Sequence, residues 1–392
     1  MPDKTKIKTI FFRVSEYLKQ RRWLAIVAFV VIGGIFLWGI LFGFSVKSWK
    51  PFAWAMPEKE ETSTAQQNVS PTDAPAAPSS TVEPTSNLVP RRIDGVLVSP
   101  EDANPYPVAI MIDNIPPAWP QSGLEGASVL YETLVEGGAT RIMAVFAGGR
   151  SDKIGPVRSA RPCYLEWVSE YDAMYGHVGG SPEALAAISG LGIKDFSQFR
   201  NGQYYWRSTD RYAPHNVYTS FELIDRARRD LKYDSQPATY QSWKFKDEQP
   251  LAQRPQKTET IEIHFSSGQT WTSRYVYNVE KNVYAKFQAA TQPHLDAETG
   301  NQLMAKNVVV VVVPKISSYG EKGRVTMDIA GQGRAFVFRD GVEIVGTWQK
   351  KDRLSRTLFY DAQGNEIELN RGTTWVSVVP EDREILYTES SL

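Results

Sequence analysis

"SVLYETLVEGGATRIMAVFAG", residues 128–148, decides the fold class of this chain. Two runs rich in β-branched, aromatic and other apolar residues flank "EGGAT", and the two glycines permit the positive φ that a chain reversal needs. The stretch therefore reads as a β-hairpin. Glu136 and Arg141 then face each other near the turn, as a cross-strand ion pair or as members of a site. Just upstream, "YPVAIMIDN", 106–114, is a mostly apolar run ending in Asp113-Asn114. It reads as a buried strand that stops at a turn, Ile115-Pro116-Pro117.

Downstream, "KIGPVRSARP", 153–162, places Arg158 and Arg161 three residues apart before "PCYLEWVSEYDAMY". Tyr164, Trp167, Val168 and Tyr171 recur at helical spacing, and Pro162 suits a first helical turn, where its missing N–H costs nothing. Ser159 or Arg161 is the cap. The arginines thus stand at or before a helix N-terminus, whose free N–H groups and dipole favour anions. The planar guanidinium fork matches phosphate or carboxylate better than lysine does. The plainer alternative is that each arginine holds a carbonyl or a neighbouring acid such as Glu166.

Two further clusters follow. "MYGHVGGSPEALAAISGLG", 174–192, reads as a short strand, a Gly-Gly turn and a helix capped by Ser181, ended by Gly190 or Gly192. His177 stands at the strand's end, structural or part of a site. "RSTDRYAPHNVYTS", 207–220, gathers Arg211, His215 and Asn216 in a loop before a helix, with Thr219 and Glu222 as a capping box. His215 is a candidate general base or donor to an oxyanion.

From 255 to 385 the pattern is all strands, including "VVVVVV" at 308–313, which reads as a central strand buried on both faces. Asp340-Gly341 and Gly364-Asn365 mark hairpins, and the spacing suggests an antiparallel barrel or curved sheet. Trp348 and Trp375 read as core. His294 with Asp296 is a candidate polar site in a loop; His264 reads as structural. Cys163 is the single cysteine of the chain, which excludes an internal disulfide and a zinc site with two thiolates; it reads as a buried thiol rather than a nucleophile. No metal site and no cofactor can be named from the residues.

The chain has 392 residues, with 44 basic and 44 acidic ones. Zero net charge argues against a nucleic-acid binder. The balance is uneven: residues 1–23 carry seven lysines and arginines against Asp3 and Glu16, a net of +5. "LAIVAFVVIGGIFLWGILFGF", 24–44, follows without a charge or proline. It is long enough for the ~30 Å hydrocarbon layer. It exceeds the ~7–15-residue core of a cleavable signal, so an uncleaved anchor is expected, with the basic flank keeping the N-terminus cytoplasmic. Residues 45–90, rich in Pro, Ser and Thr, are expected to be a disordered tether. The expected class is therefore α+β: one transmembrane helix, a mixed α/β domain at 91–240, and an antiparallel β-rich domain at 255–385.

"AIMIDN", "PQSGL", "VLYETLVEGGATRIMAVF", "KIGPVRSARP", "EYDAMYGHVGGSPEAL" and "RYAPHNVYTS" together resemble the bacterial YerB-like family. "NVVVVVVP", "GQGRAFVFRDG", "GTWQKKDRLSRTLFYD" and "LNRGTTWVSVVP" resemble its C-terminal domain, so the likeness covers about residues 91–385. That family is a domain of unknown function, and the resemblance implies an extracytoplasmic place. Its lipoprotein-like members carry a lipidated Cys, which this chain replaces by the expected anchor.

A shorter likeness, "TRIMAVF", "KIGPVRSAR" and "YGHVGGSPEALAAI", is similar in order to the LytR-CpsA-Psr envelope family. It implies pyrophosphate binding by Arg141, Arg158 and Arg161 near His177. Ser159 stands where that family's Arg-Asp pairing would need an acid, which puts metal-assisted chemistry in doubt.

The resulting expectation is a membrane-anchored extracytoplasmic envelope protein. Its partners are the membrane, through 24–44, and a cell-wall glycan or another envelope protein. It binds an anionic, phosphate- or carboxylate-bearing glycan or ligand through Asp113, Glu136, Arg141, Arg158, Arg161, His177, Ser181, Arg211, His215 and Asn216. The alternative is a phosphotransferase or pyrophosphatase acting on polyprenyl-pyrophosphate-linked glycopolymers.

Overall fold

The first three strands of the main sheet are β1 (Val108–Asp113), β2 (Val129–Leu134) and β3 (Thr140–Phe146). β2 and β3 form the expected hairpin, with Leu134 opposite Thr140 and positive φ at Gly137 and Gly138. The computed structural model describes residues 87–391 apart from Lys315 and Glu321. The basic tail at 1–23, the anchor expected at 24–44 and nearly all of the tether lie outside the described residues. Among the described residues no helix is long and apolar enough to cross a membrane.

The chain continues through α1 (Pro162–Ser169), β4 (Met174–His177), α2 (Pro182–Gly190), β5 (Lys194–Ser197) and α3 (Phe221–Leu231). Arg161 is the N-cap of α1, without a capping side-chain bond, and Pro162 takes N1. Ser181 caps α2 through its hydroxyl. The capping box expected at Thr219 is displaced by one residue. Ser220 caps α3 by accepting from Leu223 N, because the Thr219 hydroxyl donates to the Tyr204 carbonyl instead.

The second half supplies β6 (Lys257–His264), β7 (Thr272–Asn278), β8 (Val283–Gln288), β9 (Asn307–Val313), β10 (Gly331–Arg339), β11 (Val342–Lys350), β12 (Leu358–Asp361), β13 (Thr374–Pro380) and β14 (Ile385–Ser391). β10 and β11 join through Asp340-Gly341, both at positive φ, the geometry a two-residue type I′ turn requires.

Ten strands form one sheet in the order β12-β11-β10-β9-β13-β2-β3-β1-β4-β5. The all-antiparallel sheet expected for 255–385 is thereby corrected. β9 pairs in parallel with β13, and β13 pairs in parallel with β2, so both halves of the chain contribute to one sheet. The physical reason is burial. β2, β9 and β13 are buried along their whole length, with no polar face to give to solvent. Such strands need hydrogen-bonded neighbours on both edges and cover on both faces.

A second, six-stranded antiparallel sheet contains β8, β7, β6 and β14 in that order, with two short flanking strands. Its strands alternate buried and partly exposed residues, as sheets with one wet face do. Its inner residues Ile261, Ile263, Tyr275 and Tyr284 share a core with Leu130, Val308, Val310 and Trp375 of the large sheet, and α3 joins that core through Ile224 and Ala227. On the opposite face Tyr131, Met143 and Val145 pack with Tyr164, Trp167 and Val168 of α1 and Ala184 and Ile188 of α2. Trp348 and Trp375 are both 1% exposed, as expected for core.

Candidate functional site

The candidate site lies where β1 ends. Antiparallel pairing sets Asp113, the last residue of β1, opposite Arg141, the second residue of β3. The extended segment that follows β3 in sequence passes beside this strand end: Arg158 N donates to Met111 O and Ala160 N to Gly179 O. Arg158 and Arg161 are delivered in this way to the same strand ends as Asp113 and Arg141.

Asp113 is buried, and its Oδ2 accepts from His215 Nδ1 at 2.7 Å. The same oxygen lies 3.3 Å from Arg158 Nε, close enough for an ion pair but not aligned as a hydrogen bond. Arg158 Nη1 makes one long contact, 3.5 Å, with the Pro214 carbonyl. Arg161 Nε donates to Glu136 Oε1 at 2.6 Å and its Nη1 to the Ala160 carbonyl. The expected Glu136–Arg141 pair is thus replaced by Glu136–Arg161, because Arg141 Nη1 donates to the Ser159 carbonyl at 3.0 Å.

Electrostatics follow from this crowding. Burial, reinforced by the nearby Arg161 cation and opposed by Asp113, lowers the Arg141 pKa to about 10. Burial pushes the Glu136 carboxyl upward, but the hydrogen bond from Arg161, a backbone hydrogen bond and the Arg161 and Arg141 charges together outweigh it, and the net shift is downward. Three guanidiniums therefore face two carboxylates. Arg158 and His215, with side chains 24% and 17% exposed, are the members reached from solvent next to Asp113.

The remaining expected residues are placed differently. His177 is fully buried between the Gly179 carbonyl (2.7 Å) and Asp195 Oδ1 (2.9 Å), tying the end of β4 to β5. The Ser181 hydroxyl caps α2. Arg211 donates to the Pro117 and Pro120 carbonyls, holding two loops together, while Asn216 accepts from Arg207 and donates to Ser208 O within its own loop. The Cys163 thiol is pushed up to about 12 by burial, which keeps it protonated.

Behind the arginines runs a buried polar network, of which the sequence singles out His294 alone. Asn114 Nδ2 donates to Glu132 Oε1 at 2.9 Å, and Gln121 Nε2 donates to both the Asp113 carbonyl and Asn114 Oδ1. Glu132 Oε2 accepts from Ser273 Oγ and Lys286 Nζ, each at 3.0 Å. His294 Nε2 meets Gln121 Oε1, and burial, reinforced by the Lys286 charge, holds this imidazole neutral. The available signal was alternation: Tyr284, Lys286 and Gln288 are the inward positions of β8, so a lysine there must be paired. Two clefts, of about 280 and 370 Å³, are lined by none of the clustered arginines.

The "Protein of unknown function (DUF3048) N-terminal domain" matches residues 94–234, and the C-terminal domain of the same family matches 261–376. The chain belongs to the DUF3048 family. "Putative lipoprotein YerB" of Bacillus subtilis (strain 168) is 28% identical to this DUF3048 chain over 284 residues, covering 70% of it and 81% of the relative. The crystal structure of the Bacillus subtilis YerB protein shares the fold with a TM-score of 0.67 at 24% identity, covering 75% of this chain and 98% of that one.

Proposed function

We propose that this DUF3048 protein works outside the cytoplasmic membrane, tethered through residues 24–44, and binds an anionic group at the Arg141–Arg158–Arg161 cluster. The group is a phosphate or carboxylate of an envelope glycan or similar ligand. The relative described as a putative lipoprotein supports the extracytoplasmic place.

One observation carries the binding reading: the Arg158 guanidinium is under-used. Of its five donors, one makes a 3.5 Å contact, and its Nε lies beside Asp113 without an aligned bond. A phosphate or carboxylate oxygen would give this fork the bidentate partner it lacks among the described residues. His215, fixed by Asp113 through Nδ1, would supply a second donor when protonated.

The test is calorimetric titration of the full-length protein with pyrophosphate. Saturable binding is expected, weakened at least about tenfold in Arg158→Ala, since a charge-assisted contact contributes roughly 1.5–3 kcal/mol. Equal affinity in both proteins overturns the site.

The Asp113–His215 pair favours a second reading, phosphotransfer or pyrophosphate hydrolysis. A carboxylate orienting an imidazole whose Nε2 has no partner among the described residues is an arrangement for general-base work. Phosphate release that vanishes in His215→Asn, with pyrophosphate still bound, is its signature; no release from wild type rejects it.

A further inference from the structure

Among the described residues only two aromatic side chains are exposed, Phe199 at 72% and Tyr212 at 93%. Both stand on turns that adjoin the arginine-bearing segment 158–161. The Tyr212 carbonyl accepts from His215 N at 3.0 Å, closing the turn whose Pro214 carbonyl meets Arg158. Arg211 pins the base of that turn to the Pro117 and Pro120 carbonyls. On the other flank the Phe199 ring lies over Gly179. A Cβ there would come within 2.8 Å of the ring, and the positive φ of Gly179 likewise suits glycine. Gly179 O accepts from Ala160 N, and Val178 N donates to Arg158 O, so this ring borders the arginine segment. Arg200, the next residue, has a side chain 76% exposed.

We infer that Tyr212 and Phe199 are stacking platforms for the sugar rings of an extended anionic polysaccharide whose acidic substituent sits on Arg158. The inference rests on the anion reading above and fixes the ligand class. A large ring held in water forfeits apolar burial, so two such rings beside one charged site call for a partner with flat apolar faces. Sugar rings present C–H faces with hydroxyls at their edges. Each hydroxyl both donates and accepts, and the cluster offers both partners: the guanidinium donors of Arg158 and the 21%-exposed Glu136 carboxylate. The surplus of guanidiniums over carboxylates selects an acidic glycan over a neutral one.

The probes are hexagalacturonate as acidic glycan, maltohexaose as neutral glycan, hexaglutamate as acidic peptide and pyrophosphate as free anion, each titrated into the full-length protein. Hexagalacturonate is expected to bind more tightly than maltohexaose or hexaglutamate. Tyr212→Ala and Phe199→Ala are each expected to weaken it about 3- to 10-fold, the range of one aromatic contact. Both substitutions should leave pyrophosphate affinity and the circular dichroism spectrum unchanged. Hexagalacturonate affinity untouched by either substitution, or no greater than that of hexaglutamate, overturns the glycan assignment while bound pyrophosphate leaves the anion site standing. Loss of pyrophosphate binding in wild type overturns both.

Discussion

Glu132→Gln is expected to cost this fold more than almost any other single-atom change. Glu132 is 2% exposed, and its two oxygens receive four hydrogen bonds: Asn114 and Thr140 on Oε1, Ser273 and Lys286 on Oε2. A glutamine has one oxygen to offer and turns a donor toward Asn114. It also strips Lys286, 1% exposed, of its counter-charge. Breaking a buried pair from one side costs about 3–5 kcal/mol.

The loss should depend on pH with a definite sign. Burial lowers the Lys286 pKa, and Glu132 partly restores it through its charge and hydrogen bond. Without Glu132 the depression deepens, while the unfolded chain keeps an ordinary value of about 10.4. Between the two values the unfolded state binds more protons, so stability rises with pH. Urea unfolding of the full-length protein and the variant, at pH 7 and pH 9.5, should give a destabilisation that shrinks at the higher pH. Glu132→Gln combined with Lys286→Met should recover much of it, because no unpaired charge remains. A loss below about 1 kcal/mol at pH 7, far under the range for a broken buried pair, or one equal at both pH values, would refute the reasoning.

Cys163, with its thiol pushed up to about 12 by burial, should resist a disulfide reagent such as dithionitrobenzoate at pH 8 until the protein is unfolded in urea. Rapid stoichiometric labelling of the native protein would contradict that placement. Gly341→Ala should destabilise by roughly 1–3 kcal/mol in thermal unfolding, since φ is positive there and the new Cβ meets the Tyr277 ring. Ser220→Ala, which removes the cap of α3, should cost about 1 kcal/mol, whereas Glu222→Ala, outside any capping bond seen here, should cost less.

Local signals were legible where one short stretch determines its own conformation. The two glycines after Glu136, the Asp340-Gly341 turn, the Ser181-Pro182 helix start and the valine run of β9 each specify backbone geometry within a few residues. The capping hydroxyl before α3 was misplaced by one residue because Thr219 and Ser220 both qualify, and only the position of Tyr204 decides between them. Long-range pairing was not legible. Nothing in "TTWVSVVP" shows that it inserts between β9 and β2, since buried strands read alike whether their neighbours run parallel or antiparallel. The arginines were recognisable as a group, but their carboxylate partners were not. Asp113 and Arg158 are 45 residues apart in sequence, and Glu136 is nearer in sequence to Arg141 than to the Arg161 it bonds. Glu132 and Lys286, separated by 154 residues, could be paired only once the two sheets were stacked.

The most direct test of an arginine site that takes an anion is a comparison of two substitutions of opposite charge effect. Glu136→Gln removes the negative charge that Arg161 meets at 2.6 Å, leaving at most a neutral amide acceptor, while Arg158→Ala removes the under-used guanidinium. Pyrophosphate titrations should show tighter binding in the first and weaker binding in the second. Affinities that move together, or that do not move, would contradict the account.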